Sequence, residues 1–181
     1  MEITEQDIEL VHDMVRGMAV DQFKQFGKAP TFFAAVGTKE PEKLEELANS
    51  GGLPLKMEQL SKGNGPILVG FYLASVPQQL WNKLMSAVAN DIDATALVFT
   101  SETWVAEFPN DKGQGEELAA EYYSSHKNLS EYPERKEAII VNLHFKDKPS
   151  MLEVAMVDKD TRELSKFSVQ NGAEKSGDIT W

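Results

Sequence analysis

The chain has 181 residues, with 18 Lys and Arg against 29 Asp and Glu, a net charge of -11, and no cysteine. The lack of cysteine excludes disulfides, thiolate metal sites and cysteine nucleophiles. The acidic balance argues against a nucleic-acid binder that relies on a general positive field, and the length suits one domain with a core large enough to need no staple.

The acidic start, MEITEQDIEL, does not read as a secretory leader. No apolar run approaches the roughly 20 residues that span a bilayer, so a cytoplasmic protein with no membrane partner is expected. Thr4 with Asp7 forms an N-cap and a capping-box analogue. Ile8, Val11, Met14, Val15, Met18, Ala19 and Phe26 then recur at helical spacing, Gly27 suits the C′ position and Pro30 stops continuation. A helix over 5–26 is predicted. Thr31–Thr38 reads as a short strand, and Pro41 as the first-turn residue of a small helix through about Ala48. Residues 53–65 are ambiguous between a helical turn and a loop; Gly63-Asn64-Gly65 signals a turn and not a phosphate loop, because no lysine and serine follow it.

Pro66–Ala74 reads as an interior strand. Ser75 caps and Pro77 opens a second helix, whose stripe is Leu80, Trp81, Leu84, Met85 and Val88. The next strand, Ala94–Phe108, lies at βαβ distance from 66–74, so the two are either parallel neighbours or separated by another strand. Residues 109–135 form a long insertion with a short helix over 116–127, Leu118, Ala119, Tyr122 and Tyr123 facing inward. From Glu137 an antiparallel meander is expected: Ile139, Val141, Leu143 and Phe145 on one side, Ile140, Asn142 and an exposed His144 on the other, then a strand with Leu152, Val154 and Met156, and a last one around Phe167 and Val169. The expected fold is a single α+β domain over 1–170. Its sheet is mixed, mostly antiparallel, with about six strands and two main helices packed on one face. Residues 171–181 form a polar tail.

One residue disturbs this plan. In Ala94–Phe108, Glu102 shares a strand face with Val98 and Trp104. A buried carboxylate needs a partner, water or a raised pKa; otherwise a bulge near Thr100 turns it outward, or the strand end reaches solvent. Arg135 is the expected counter-ion, since its fork matches a carboxylate. Ser101, Glu102, Trp104, Tyr132, Arg135 and Glu137 therefore form the candidate cluster, either a ligand cleft walled by Trp104 and Tyr132 or a structural ion-pair clasp, with the clasp favoured.

Ser101-Glu102-Thr103-Trp104, followed by Pro133-Glu134-Arg135-Lys136-Glu137 ahead of another strand, resembles a pattern in small bacterial and phage proteins of unassigned activity. There a strand ending S-E-x-W precedes a P-x-R-x-E loop. The resemblance covers roughly residues 94–145, departs from the pattern at Tyr132, where histidine is more usual, and implies a phage or mobile-element origin without implying a reaction. Other chemistry finds little support. His12, His126 and His144 have no metal-ligand spacing, Glu134-Arg135-Lys136 is too short a motif for a nuclease, and Ser101 lacks a nucleophile elbow. No cofactor and no metal site are expected, although an oxygen-only Mg²⁺ site on Glu102 and Glu137 stays open. The leading expectation is a non-enzymatic accessory protein that binds a macromolecular partner, a protein and not nucleic acid, through an acidic surface. The rival is a small hydrolase or ligand-binding domain using Glu102, Arg135 and Glu137. A homodimer through a sheet edge is a third expectation.

Overall fold

The structure, a computed structural model, describes residues 2–43, 55–59, 65–74, 76–106, 115–125 and 131–170. Helix α1 (Glu5–Phe26) has the predicted limits because both ends are capped. Thr4 Oγ1 accepts the Asp7 N–H at 3.2 Å, and the Asp7 carboxylate accepts the Thr4 N–H at 2.9 Å. At the far end Gly27 turns left-handed, φ 70°, and donates its N–H to the Phe23 carbonyl at 2.7 Å. The chain continues through β1 (Phe32–Gly37), β2 (Leu55–Gln59), β3 (Ile67–Tyr72), a 3₁₀ turn (Gln78–Leu80), α2 (Trp81–Asp91), β4 (Ala94–Val105), α3 (Gly115–Ser124), β5 (Lys136–Phe145), β6 (Met151–Met156) and β7 (Ser168–Gln170).

The seven strands form one sheet in the order β2-β3-β1-β4-β5-β6-β7, and every neighbouring pair is antiparallel. The α+β class is as expected. β1 separates β3 from β4, so the strands flanking α2 run parallel without touching. β2 falls in the stretch that the sequence left ambiguous.

The expectation of both helices on one face is wrong. α1 covers Phe32, Ala34, Val36, Val98 and Val141, whereas α2 covers Phe33, Ala35, Val69 and Leu97. The alternate residues of β1 point to opposite sides and all are apolar, so each side needs its own cover. His144 and Asn142, expected on an exposed strand face, are buried on the α2 side. Residues 44–48 of the small helix, the Ser75 cap, the inward side chains of Leu118, Ala119 and Tyr123, and the tail 171–181 lie outside the described residues. Among the described residues no helix is long and apolar enough to cross a membrane.

Two glycines test this packing. An added Cβ on Gly37 would lie 2.3 Å from the Ile92 carbonyl oxygen, which already accepts the N–H groups of Thr38 and Lys39 at 3.0 Å each. A Cβ on Gly17, inside α1, meets nothing within 4 Å. Gly37→Ala is therefore expected to cost about 2 kcal/mol, a fall of roughly 4–8 °C in melting temperature. Gly17→Ala should gain about 0.5–1 kcal/mol from helix propensity. Thermal unfolding by circular dichroism reads both, and equal effects would contradict the close approach at Gly37.

Candidate functional site

β4 is longer than its neighbour on one side. It pairs with β5 without interruption from Ala96↔Phe145 to Val105↔Lys136, but with β1 only as far as Phe32↔Thr100. No bulge falls at Thr100; the register shift against β1 lies at its other end, between Val36 and Gly37. Past Thr100 the place of β1 is taken by the α1–β1 connection. Glu102 meets that connection directly, Oε2 accepting the Ala29 N–H at 3.0 Å. Glu102 also hydrogen-bonds Glu137, on the same face of β5.

The contact shifts the two carboxyls in opposite directions. Burial, then the hydrogen bond to Glu137, push the Glu102 carboxyl above its ordinary value. The Arg162 guanidinium holds Glu137 below the same value. Of the two, Glu102 holds a proton the more readily. Arg162 grips both Glu137 oxygens and donates to the Gly27 carbonyl at 3.0 Å. Its backbone is left-handed, φ 60°, at the end of a turn in which the Asp158 carboxylate accepts the N–H groups of Asp160 and Thr161. An unfavourable backbone angle at a non-glycine residue is maintained here by that turn and by the ion pair.

Arg135, the expected counter-ion of Glu102, lies elsewhere. Its guanidinium stands 4.9 Å from the centre of the Trp104 ring and donates to the Tyr132 carbonyl at 3.1 Å. The reason is reach: Arg135 precedes β5 at the open end of β4, next to Trp104, while Arg162 approaches from the β6–β7 connection. Tyr132 packs edge-on against Tyr122, 5.1 Å between rings. Ser101 is absent from this cluster, because its side chain points to the α2 face. Of the six candidates, Glu102 and Glu137 meet each other, and Arg135 meets Trp104 and the Tyr132 carbonyl. Trp104, Arg135 and Glu137 border an open cleft of about 980 Å³ with Met156, Asp158 and Glu163 on its far side. Acidic and basic side chains alternate along it, so it carries no uniform charge.

A second polar cluster was not anticipated. Glu153 of β6 is buried beneath α1, and Arg16 Nη1 donates to both its oxygens at 3.2 and 3.1 Å while Nη2 reaches Asp13 at 2.6 Å. His12 Nε2 lies 3.4 Å from Glu153. Burial lowers the His12 pKa against the opposing pull of Glu153, which favours the neutral ring. The available signal was the i, i+4 spacing of His12 and Arg16 on the inner side of a helix, combined with an acid in the middle of an apolar strand. Among the described residues no group of three or more His, Asp or Glu could hold a metal ion.

With this geometry in hand, comparison with protein-family models, with curated proteins and with solved structures returned no match to this chain.

Two outcomes follow from the clusters. The stability contributed by protonated Glu102 is complete below the ordinary value of 4.5 and is lost as pH rises through its raised pKa; that of ionised Glu137 is present above 4.5 and lost as pH falls through its lowered one. Glu102→Gln keeps a donor toward Glu137 and an acceptor for Ala29, so the melting temperature of the variant relative to wild type should climb between pH 4.5 and 8; a flat difference would contradict a raised Glu102 pKa. Arg16→Met leaves Glu153 buried and unpaired, at roughly 2 kcal/mol after allowance for the third of Arg16 that is exposed. Arg16→Met with Glu153→Met should recover most of that loss in urea titrations, and equal loss in the single and double variants would contradict the pairing.

Proposed function

We propose that the protein is a non-enzymatic accessory protein that binds a basic, amphipathic segment of another protein on the outer face of α1. The observation that carries this reading is the surface of that helix. Leu10 is 61 % exposed and Met14 44 % exposed. Gly17 follows on the same line, with open space where a side chain would stand. Glu9, Asp13 and Asp21 border this seam and are exposed. An apolar line with a glycine notch, edged by carboxylates, suits a helix that presents leucines inward and lysines or arginines at its margins.

The paired acids support binding in preference to catalysis. Glu102 is occupied by the Ala29 N–H and Glu137 by Arg162, so each fastens the chain. Arg135 rests on Trp104, away from both, which weakens the case for a hydrolase built on Glu102, Arg135 and Glu137. An accessory role also agrees with the resemblance of the Ser101–Trp104 and Pro133–Glu137 motifs to phage and bacterial proteins of unassigned activity.

The test uses a synthetic peptide with leucines at i, i+3, i+4 and i+7 and lysines elsewhere, beside a scrambled peptide of equal composition. The ordered peptide should bind about tenfold more tightly, ~1.4 kcal/mol, with an on-rate that falls as salt rises. Leu10→Glu with Met14→Glu should abolish the difference. Equal affinity for both peptides would reduce the effect to general charge attraction. Concentration-dependent dimers in light scattering, lost in the same double variant, would assign the face to a second copy of the chain instead.

A further inference from the structure

We propose that the opposite face of the sheet holds a separate site, a pocket that takes a small neutral nitrogen heterocycle whose edge carries an N–H donor beside an acceptor, the chemistry of a free nucleobase. The pocket lies where the first turn of α2 ends above β4 and β5, and measures about 430 Å³, within the range of one- or two-ring ligand sites.

One wall is aromatic. The rings of Trp81 and Phe99 stand 6.0 Å apart and tilted by 51°. Trp81 is held in place by its indole N–H, which donates to the Val76 carbonyl at 2.8 Å. A flat ring can stack on either face of this corner. The floor is polar. Asn142 is only 8 % exposed, lines the pocket, and its carboxamide oxygen has no hydrogen-bond partner. A buried carbonyl left without a donor is costly, about 1–3 kcal/mol, so its retention in the middle of a strand calls for a donor brought from outside. Ser101 and His144, both buried, stand beside it, and His144 Nδ1 is fixed against the Ser150 hydroxyl at 3.0 Å.

Charge sets the class of ligand. The chain carries 29 acidic and 18 basic residues, yet among the described residues no Asp, Glu, Lys or Arg lines this pocket. Nothing there compensates a phosphate or an ammonium group, and the acidic surface beyond repels a phosphate. A carboxamide reads adjacent donor and acceptor atoms in pairs, as asparagine does with the N6 and N7 edge of adenine. This inference is independent of the α1 surface and survives its failure.

Adenine is the probe, with purine, which lacks the exocyclic donor, and adenosine monophosphate as comparisons. In two-dimensional NMR the Trp81 indole and Asn142 side-chain amide signals should shift and saturate with adenine, while the Trp104 indole stays still. Purine and the monophosphate should bind at least about tenfold more weakly, one lost hydrogen bond or one uncompensated charge. Asn142→Leu removes the unsatisfied oxygen at similar size, so it should keep or raise the melting temperature while weakening adenine about tenfold or more. Phe99→Leu, which removes the stacking wall alone, should weaken adenine and purine alike and serves if Asn142→Leu does not fold. Absence of saturable shifts with adenine, equal binding of adenine and purine, or undiminished binding in both variants would overturn the site.

Discussion

The structure depends on a length mismatch at its centre. β4 has twelve residues and β1 six, and they lie side by side. As far as Thr100 the strand is flanked on both edges and covered on both faces, and its side chains are those of an ordinary core. Beyond Thr100 the β1 edge ends, while β5 continues alongside to Val105. An overhang of this kind exposes backbone groups and apolar surface that must be met by something. On the α1 side it is met by the Gly27–Thr31 connection, fastened by Glu102 and by Arg162. On the α2 side it is met only by the short reach of Trp81, and a pocket is left.

The legible parts of this fold are those whose cause is local. α1 was readable to the residue because its limits are set by a capping box at Thr4 and a left-handed glycine at position 27, both written within a few residues of the ends they control. The strands β1, β3, β4 and β5 were readable because their apolar periodicity reports burial. Strand order is not a local property. No short-range pattern says that β1 enters between β3 and β4, and from that insertion follows the separation of the helices onto two faces. The same limit explains Asn142 and His144. Alternation with apolar neighbours marks them as lying on the second face, but their burial depends on which element covers it.

Partner choice among the charged residues was the least legible of all. Glu102 stood out on its strand face, and in the structure it meets the Ala29 N–H and Glu137 and not Arg135. Its neighbours were chosen by sequence motif, which selected Arg135; the fold supplies Arg162, sixty residues along from Glu102, through a turn that holds its backbone left-handed. Likewise Glu153 looked like one more acid in an acidic chain, yet it anchors α1 to β6 through Arg16. Both clusters tie α1 or its exit to the β5–β7 half of the sheet, where the helix has fewer apolar contacts than over β1 and β4. Polar fastening replaces apolar packing where the core thins.

That division separates acids with structural roles from acids left on the surface. Glu102, Glu137 and Glu153 are turned inward and each is met by an N–H group or a guanidinium, so they add little to the outward field. The excess negative charge is carried by exposed residues, and on α1 these sit beside Leu10, Met14 and the open notch at Gly17. Helix stability alone would place alanine at position 17, since nothing stands near it to forbid a side chain. The fold itself does not require a glycine at this position, which follows two exposed apolar residues, Leu10 and Met14, on the outer side of the helix. The constraint at Gly37 is internal, set by the Ile92 carbonyl, whereas at Gly17 the fold sets none; α1 has one face packed on the sheet and another left open.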